Sequence, residues 1–335
     1  MFSFFKCFFI CTFLLSFGRA NSAQIDQVVI WGHKLHSHTH SYIHYGFYKA
    51  FKHLGYKTLW LDNKDDVSAV DFRNTLFVTE HQVDQKMPLR DDCYYFVHCS
   101  SHRKYEHLKQ IKHFIDLDVY KNSHQISSTL HEIEPYIFYD FEKMYLLIMW
   151  ATDLLPEEIE RNKPRSFSHM ASREKVIYWV GTIGEGKDGN YSELAPFIQA
   201  CKDHGVQFIQ SDPWRLAVDA DKHIQMIQRS YLAPAICGAI QVEKDYIPCR
   251  IFKNISYGHL GLTNSKAVND LFGGRLSYDS DPYQLFLKGE AKLIEGNIKE
   301  QHELMDFVKN HHTYLNRVQH MLTFIEKSQD YWSLR

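Results

Sequence analysis

Twice along the chain a short apolar run ends in glycine, leads into an amphipathic stretch that itself stops at a glycine, and is followed by a second apolar run. In the first occurrence the runs are "VVIWG" and "KTLWLD". Between them "SYIHYGFYKAFKHLG" sets Ile43, Phe47, Ala50, Phe51 and Leu54 on one helical stripe before Gly55. In the second, "VIYWVGTIG" and "VQFIQ" flank "YSELAPFIQACKDHG", where Leu194, Phe197, Ile198 and Cys201 recur at helical spacing. A strand, a crossover helix and a further strand form the unit of a parallel sheet, because parallel neighbours need a long connection where antiparallel ones need only a turn. Such a repeat predicts an α/β chain with two sheet-building halves.

Further strands are expected at "TLFVTE" and "YYFVHCS", and a helix near His102–Phe114. The second half of "YIFYDFEKMYLLIMWATDLLPEEIERNKPRSFSHMASREK" is polar and proline-punctuated, which marks a linker near Pro164–Glu174 and domains over 24–168 and 169–335, the latter ending in a helix. The apolar "LLIMW" within it reads as core. With 44% hydrophobic and 23% charged residues the composition is that of a packed globular chain, not a disordered one. Two such domains leave a cleft between them, where ligands bind at the carboxyl ends of the strands.

The first 23 residues hold one lysine, an apolar stretch from Cys7 to Phe17 and small residues around Ala20–Ala23, the pattern of a signal peptide or short anchor. The expected location is therefore the outside of the cell or the lumen of the secretory pathway, with membrane association through this segment where it is retained. Its removal leaves Cys93, Cys99, Cys201, Cys237 and Cys249, an odd set without Cys-x-x-Cys spacing, which argues against a structural zinc site. A net charge of -2 with no long basic run gives no footprint for nucleic acid.

Candidate chemistry begins with "YIPCRIFKNISYGHLGLTNS". Pro248 suits a first helical turn, Ile251, Phe252 and Ile255 form a buried face, and Gly258 is a left-handed stop. Arg250 would then stand in the first turn, where free N–H groups and the helix dipole favour an anion. An ion pair with Glu243 or Asp245 is the competing expectation. The same stretch resembles the donor-site helix of glycosyltransferases of the GT-B class, through Pro248, Arg250, Phe252 and Gly258. "HHTYLNRVQHML" is similar to the His-Thr-Tyr-x-x-Arg segment of one subgroup, and "VIYWVGTIGEGKDGN" and the first strand–helix–strand unit are similar to the openings of the two domains of that class.

What the resemblance implies is an α/β fold of two Rossmann-like domains facing across a cleft, and transfer of a sugar from a nucleotide-sugar donor to an acceptor hydroxyl on a glycan, lipid or protein. Arg250 and Lys253 would hold the donor diphosphate with Asn254 beside them. Tyr246 would face the nucleotide, and the loop from Gly181 to Lys187 would border the pocket. Cations and a helix start would stabilise the leaving phosphate without a metal or other cofactor. The sequence departs from the Glu-x7-Glu pattern of the class, with Asp245 at the first position and Lys253 at the second. That departure keeps open a second reading, a carbohydrate- or nucleotide-binding protein without turnover.

"HKLHSHTHSYIH" follows the first strand and carries His33, His36, His38, His40 and His44. His38 or His40 is a candidate general base, since imidazole titrates near neutral pH. Solvated loop filling and an opportunistic transition-metal site are the other two readings of the run. Glu80 and His81, after the third strand, are a further catalytic candidate against the plain alternative of exposed neighbours. Asn190 and Asn254 begin glycosylation sequons, of which the second falls inside the proposed helix.

Overall fold

The computed structural model describes residues 24–32, 34, 39–79, 86–98, 111–120, 129–166, 174–186, 189–212 and 215–334. The first half is built on one eight-stranded sheet. Its strands are β1 (Gln27–Trp31), β2 (Thr58–Leu61), β3 (Thr75–Thr79), β4 (Tyr94–His98), β5 (Phe114–Asp118), β6 (His131–Glu134), β7 (Ile137–Asp140) and β8 (Tyr145–Leu147), in the order β2-β1-β3-β4-β5-β8-β7-β6. All pairs from β2 to β8 are parallel, and β8-β7-β6 close the edge antiparallel.

Strands β1, β3 and β4 are buried at every position, which is why they read as unbroken apolar runs. Alternate side chains serve two cores. Val28, Ile30, Leu76, Val78 and Phe96 pack under α1 (Thr39–His53) and under Val318, Met321 and Phe324 of α10 (Tyr314–Ser333). Val29, Trp31, Phe77 and Tyr95 face the other way, onto Phe72 and Met87. Of the stripe expected on α1, Ile43, Phe47, Ala50 and Phe51 are buried, but Leu54 is 46% exposed. It lies past the last helical residue, where the chain turns through Gly55 at φ +86°.

One sequence expectation changes around the middle strands, and one element there had none. Phe114 opens β5 rather than closing a helix, and 102–110 lie outside the described residues. The stretch from His131 holds a hairpin, β6 to β7, whose turn puts Tyr136 at φ +65°. "LLIMW" is wholly buried, as expected of core. Among the described residues no helix is long and apolar enough to cross a membrane.

After α2 (Pro156–Asn162) the second half pairs β9 (Val176–Val180) with β10 (Gln207–Ser211), and β11 (Pro234–Ala235), β12 (Leu262–Thr263) and β13 (Ser277–Tyr278) in a second small sheet, all parallel. The helices are α3 (Tyr191–Asp203), α4 (Ala220–Arg229), α5 (Ala239–Glu243), α6 (Cys249–Ser256), α7 (Lys266–Leu271), α8 (Pro282–Glu295) and α9 (Ile298–His311). Leu194, Phe197 and Cys201 of α3 pack with Phe286 of α8 on one face. On the other, Ile251, Phe252 and Ile255 of α6 join the same apolar cluster as α1 and α10, so one core runs through both halves. The chain crosses between the halves twice: Thr152 pairs with Thr313 in a parallel bridge as α10 returns to pack on α1.

Candidate functional site

The start of α6 is fixed by Pro248, extended at φ −72° and ψ 141°, and no side chain caps the first turn. The N–H groups there are left for a ligand or solvent. Gly258 follows the helix at φ +90°, the stop read from the sequence.

Arg250 does not form the ion pair with Glu243 or Asp245. Its guanidinium lies 3.8 Å above the Trp179 indole, and Nη2 donates to the carbonyl oxygen of Val180 at 3.0 Å. A planar, weakly hydrated cation gains from an aromatic face where an ammonium gains less. The same contact explains the glycine that follows β9: Gly181 is at φ +145°, and a Cβ there would stand 2.5 Å from Arg250 Nη2. The Trp179 indole N–H is buried with no acceptor among the described residues.

One turn further on, Lys253 is 6% exposed. Its Nζ sits 4.0 Å from the Tyr42 ring centroid and 3.3 Å from His223 Nδ1. Burial lowers the lysine below its usual range; Asp153 opposes this and the like charge of Arg250 adds to it. Asp153 is itself engaged, accepting from the Tyr257 hydroxyl at 2.7 Å. Burial likewise brings Arg250 down to about 10. Removing an ion from water costs several kcal/mol where no counter-ion repays it.

Tyr42, Gly181, His223, Arg250, Lys253 and Asn254 line a common cavity of about 40 Å³. Among the described residues its lining holds two full cations and no carboxylate. Of the residues expected to bind a donor, four therefore meet: Gly181, Arg250, Lys253 and Asn254. Asn254 is turned partly to scaffold duty, donating to the Ala233 carbonyl at 2.8 Å and tying α6 to β11; its burial leaves no room for a glycan. Tyr246 does not line this cavity but stacks on Tyr120, 4.8 Å between centroids. Lys187 lies outside the described residues.

Of the catalytic candidates, His38 and Glu80 also lie outside the described residues, as do His33, His36 and His81. His40 stands in the first turn of α1, half-buried, with its ring 6.1 Å from that of His98 at the end of β4. His44 is buried within α1. Among the described residues no three His, Cys, Asp or Glu side chains gather as a metal site, and Cys93, Cys201, Cys237 and Cys249 are unpaired thiols.

Tyr42 and His223 had no sequence signal of their own, being single residues on α1 and α4 that the fold brings against Lys253. The His-Thr-Tyr-x-x-Arg segment has its own role here. Tyr314 packs on Gly46 of α1, and Arg317 is wholly buried with bonds to backbone carbonyls of Met149, Trp150 and His311. The cavity thus presents two cations, Arg250 and Lys253, where Tyr42 of α1 in the first half meets α6 of the second. No protein-family model, curated protein or solved structure matches the chain.

Proposed function

We propose that the Arg250–Lys253 cavity takes the diphosphate of a nucleotide-sugar donor, and that the protein is a glycosyltransferase with two Rossmann-like domains of the GT-B arrangement. The observation that carries this reading is the pair of buried cations sharing a cavity at the uncapped start of α6, with no carboxylate among its described lining residues. Buried cations that no described carboxylate touches favour an anion beside them, and a phosphate meets both cations and the helix dipole at once.

In the net reaction an acceptor hydroxyl oxygen bonds to the anomeric carbon and the bond from that carbon to the phosphate oxygen breaks. The nucleoside diphosphate leaves with the electron pair, and the hydroxyl proton passes to a base. Arg250 and Lys253 meet the charge that grows on the leaving phosphate, where preorganised cations act most strongly. The base comes from the start of α1, the element that carries His40 and, two residues on, the Tyr42 ring over Lys253. An exported or luminal protein meets this chemistry where nucleotide sugars are supplied to the secretory pathway.

Lys253 favours a second reading. It occupies the position at which the resemblance expects a glutamate for the ribose, and it is held inside the cavity by Tyr42 and His223. A protein that binds a nucleotide or carbohydrate without turnover fits that substitution.

Thermal stabilisation by UDP, GDP, ADP and CMP and their sugars tests the site, with Arg250→Ala in parallel. A ligand at a hundredfold excess over its Kd stabilises by about 2.7 kcal/mol, and the effect should vanish in the variant. No stabilisation by any nucleotide overturns the donor site. Stabilisation without release of nucleoside diphosphate in the presence of acceptors selects the binding protein over the enzyme.

A further inference from the structure

A second and larger cavity, about 430 Å³, opens between the two halves on the side of the sheet edge. Its size is that of a site for a small organic ligand. Phe138 of β7, Leu147 of β8 and Val119 beyond β5 make an apolar floor, and Ile247, just ahead of α6, closes it from the second half. The Tyr120–Tyr246 stack joins the two walls beside it, with Lys244 Nζ 5.6 Å from the Tyr120 ring.

The rim has the opposite character to that of the Arg250 cavity. Glu132 stands on one wall and Glu243 and Asp245 on the other, so that with Lys244 the described lining residues carry a net charge of −2. None of the three carboxylates makes a hydrogen bond or an ion pair with a described residue. Tyr136 completes the rim, and it and Asp245 hold left-handed backbone, φ +65° and +50°, one on each wall. Aspartate tolerates that region, but Tyr136 does not readily adopt it, so its conformation is maintained against a cost of about 1 kcal/mol or more.

We propose that this cavity binds a saccharide, the acceptor of the transfer. The charge of the rim repels phosphate, so the donor and its fragments are excluded. A sugar ring offers hydroxyl donors to the carboxylates and presents a C–H face to the aromatic rings and the aliphatic floor. The assignment as acceptor rests on the transferase reading, whereas the binding of a saccharide does not.

A printed glycan array, probed with the full chain in the absence of any nucleotide, tests the site. The wild type should retain a defined set of glycans. Asp245→Asn tolerates the left-handed backbone while removing the charge, and paired with Glu132→Gln it should weaken retention tenfold or more without changing the melting temperature. No retained glycan, or retention unaltered in the double variant, overturns the site. Stabilisation by spermidine with no retained glycan overturns the saccharide class and makes the cavity a cation site. Retained glycans alongside an unresponsive nucleotide panel leave this site standing and remove only its role as acceptor.

Discussion

Arg317, in the first turn of α10, donates from Nε to the carbonyl oxygen of Met149 at 2.7 Å, across 168 residues of sequence. Its other nitrogens reach His311 O and His312 Nδ1, both at 3.0 Å, and Trp150 O at 3.4 Å. The guanidinium is wholly buried without a carboxylate partner, and burial lowers it to about 10. Arg317→Met should lower stability by about 3 kcal/mol, since buried carbonyls lose their donors. Arg317→Lys should recover little of this, because one ammonium cannot reproduce the fork. Urea midpoints of the three proteins decide the point, and a midpoint unchanged in the methionine variant contradicts it.

The second contact that returns α10 to the first half is steric. A Cβ on Gly46 would stand 2.1 Å from Tyr314 Cδ2. Gly46→Ala should therefore cost about 1–3 kcal/mol despite the better helix propensity of alanine. Adding Tyr314→Leu should return part of the loss, a coupling that a double-mutant cycle measures directly.

Anion binding in the Arg250–Lys253 cavity should depend on pH with a defined sign. Both cations are lowered by burial, and an anion favours their protonated forms. Affinity for inorganic pyrophosphate is then fullest below the lowered lysine value and falls as pH rises through it. Binding near that pH takes up protons, so calorimetric heats should differ between buffers of different ionisation enthalpy. Equal heats in all buffers would refute the coupling.

His312 is 5% exposed, stacked 4.5 Å from Phe252, and burial holds it well below its ordinary 6.5. The unfolded chain takes up a proton at the ordinary value and the folded chain does not. Stability from this residue is complete above 6.5 and declines as pH falls below it, by about 1.4 kcal/mol per pH unit for one proton. His312→Phe should flatten the acid limb of the stability curve; an unchanged slope would show that other groups carry it.

The sequence disclosed most where one physical demand dominated. β1, β3 and β4 are buried on both faces, so their runs are apolar without alternation, and Pro248 and Gly258 bracket α6 because each satisfies a backbone constraint of its own. The β6 strand was not legible: "HEIE" is exposed throughout, and its turn is carried by Tyr136 at a positive φ with no glycine to announce it. In the site, the first-turn position of Arg250 followed from spacing, but its partner did not. An arginine near two acidic residues suggests an ion pair, whereas the observed partner is an indole 71 positions earlier that only the β9–α6 packing brings near. Tyr42 and His223 were invisible for the same reason, each being an ordinary helical residue until tertiary structure sets it against Lys253.

The return of α10 onto α1 has a consequence for synthesis. Phe47 meets Tyr314 at 4.6 Å between ring centroids, and Val28, Ile30 and Phe96 share a core with Phe324. A nascent chain that has already made all eight strands of the first sheet still lacks the helix that covers one of its faces. Completion of this core therefore waits on the most distant helix in the sequence, a contact of high sequence separation that slows folding.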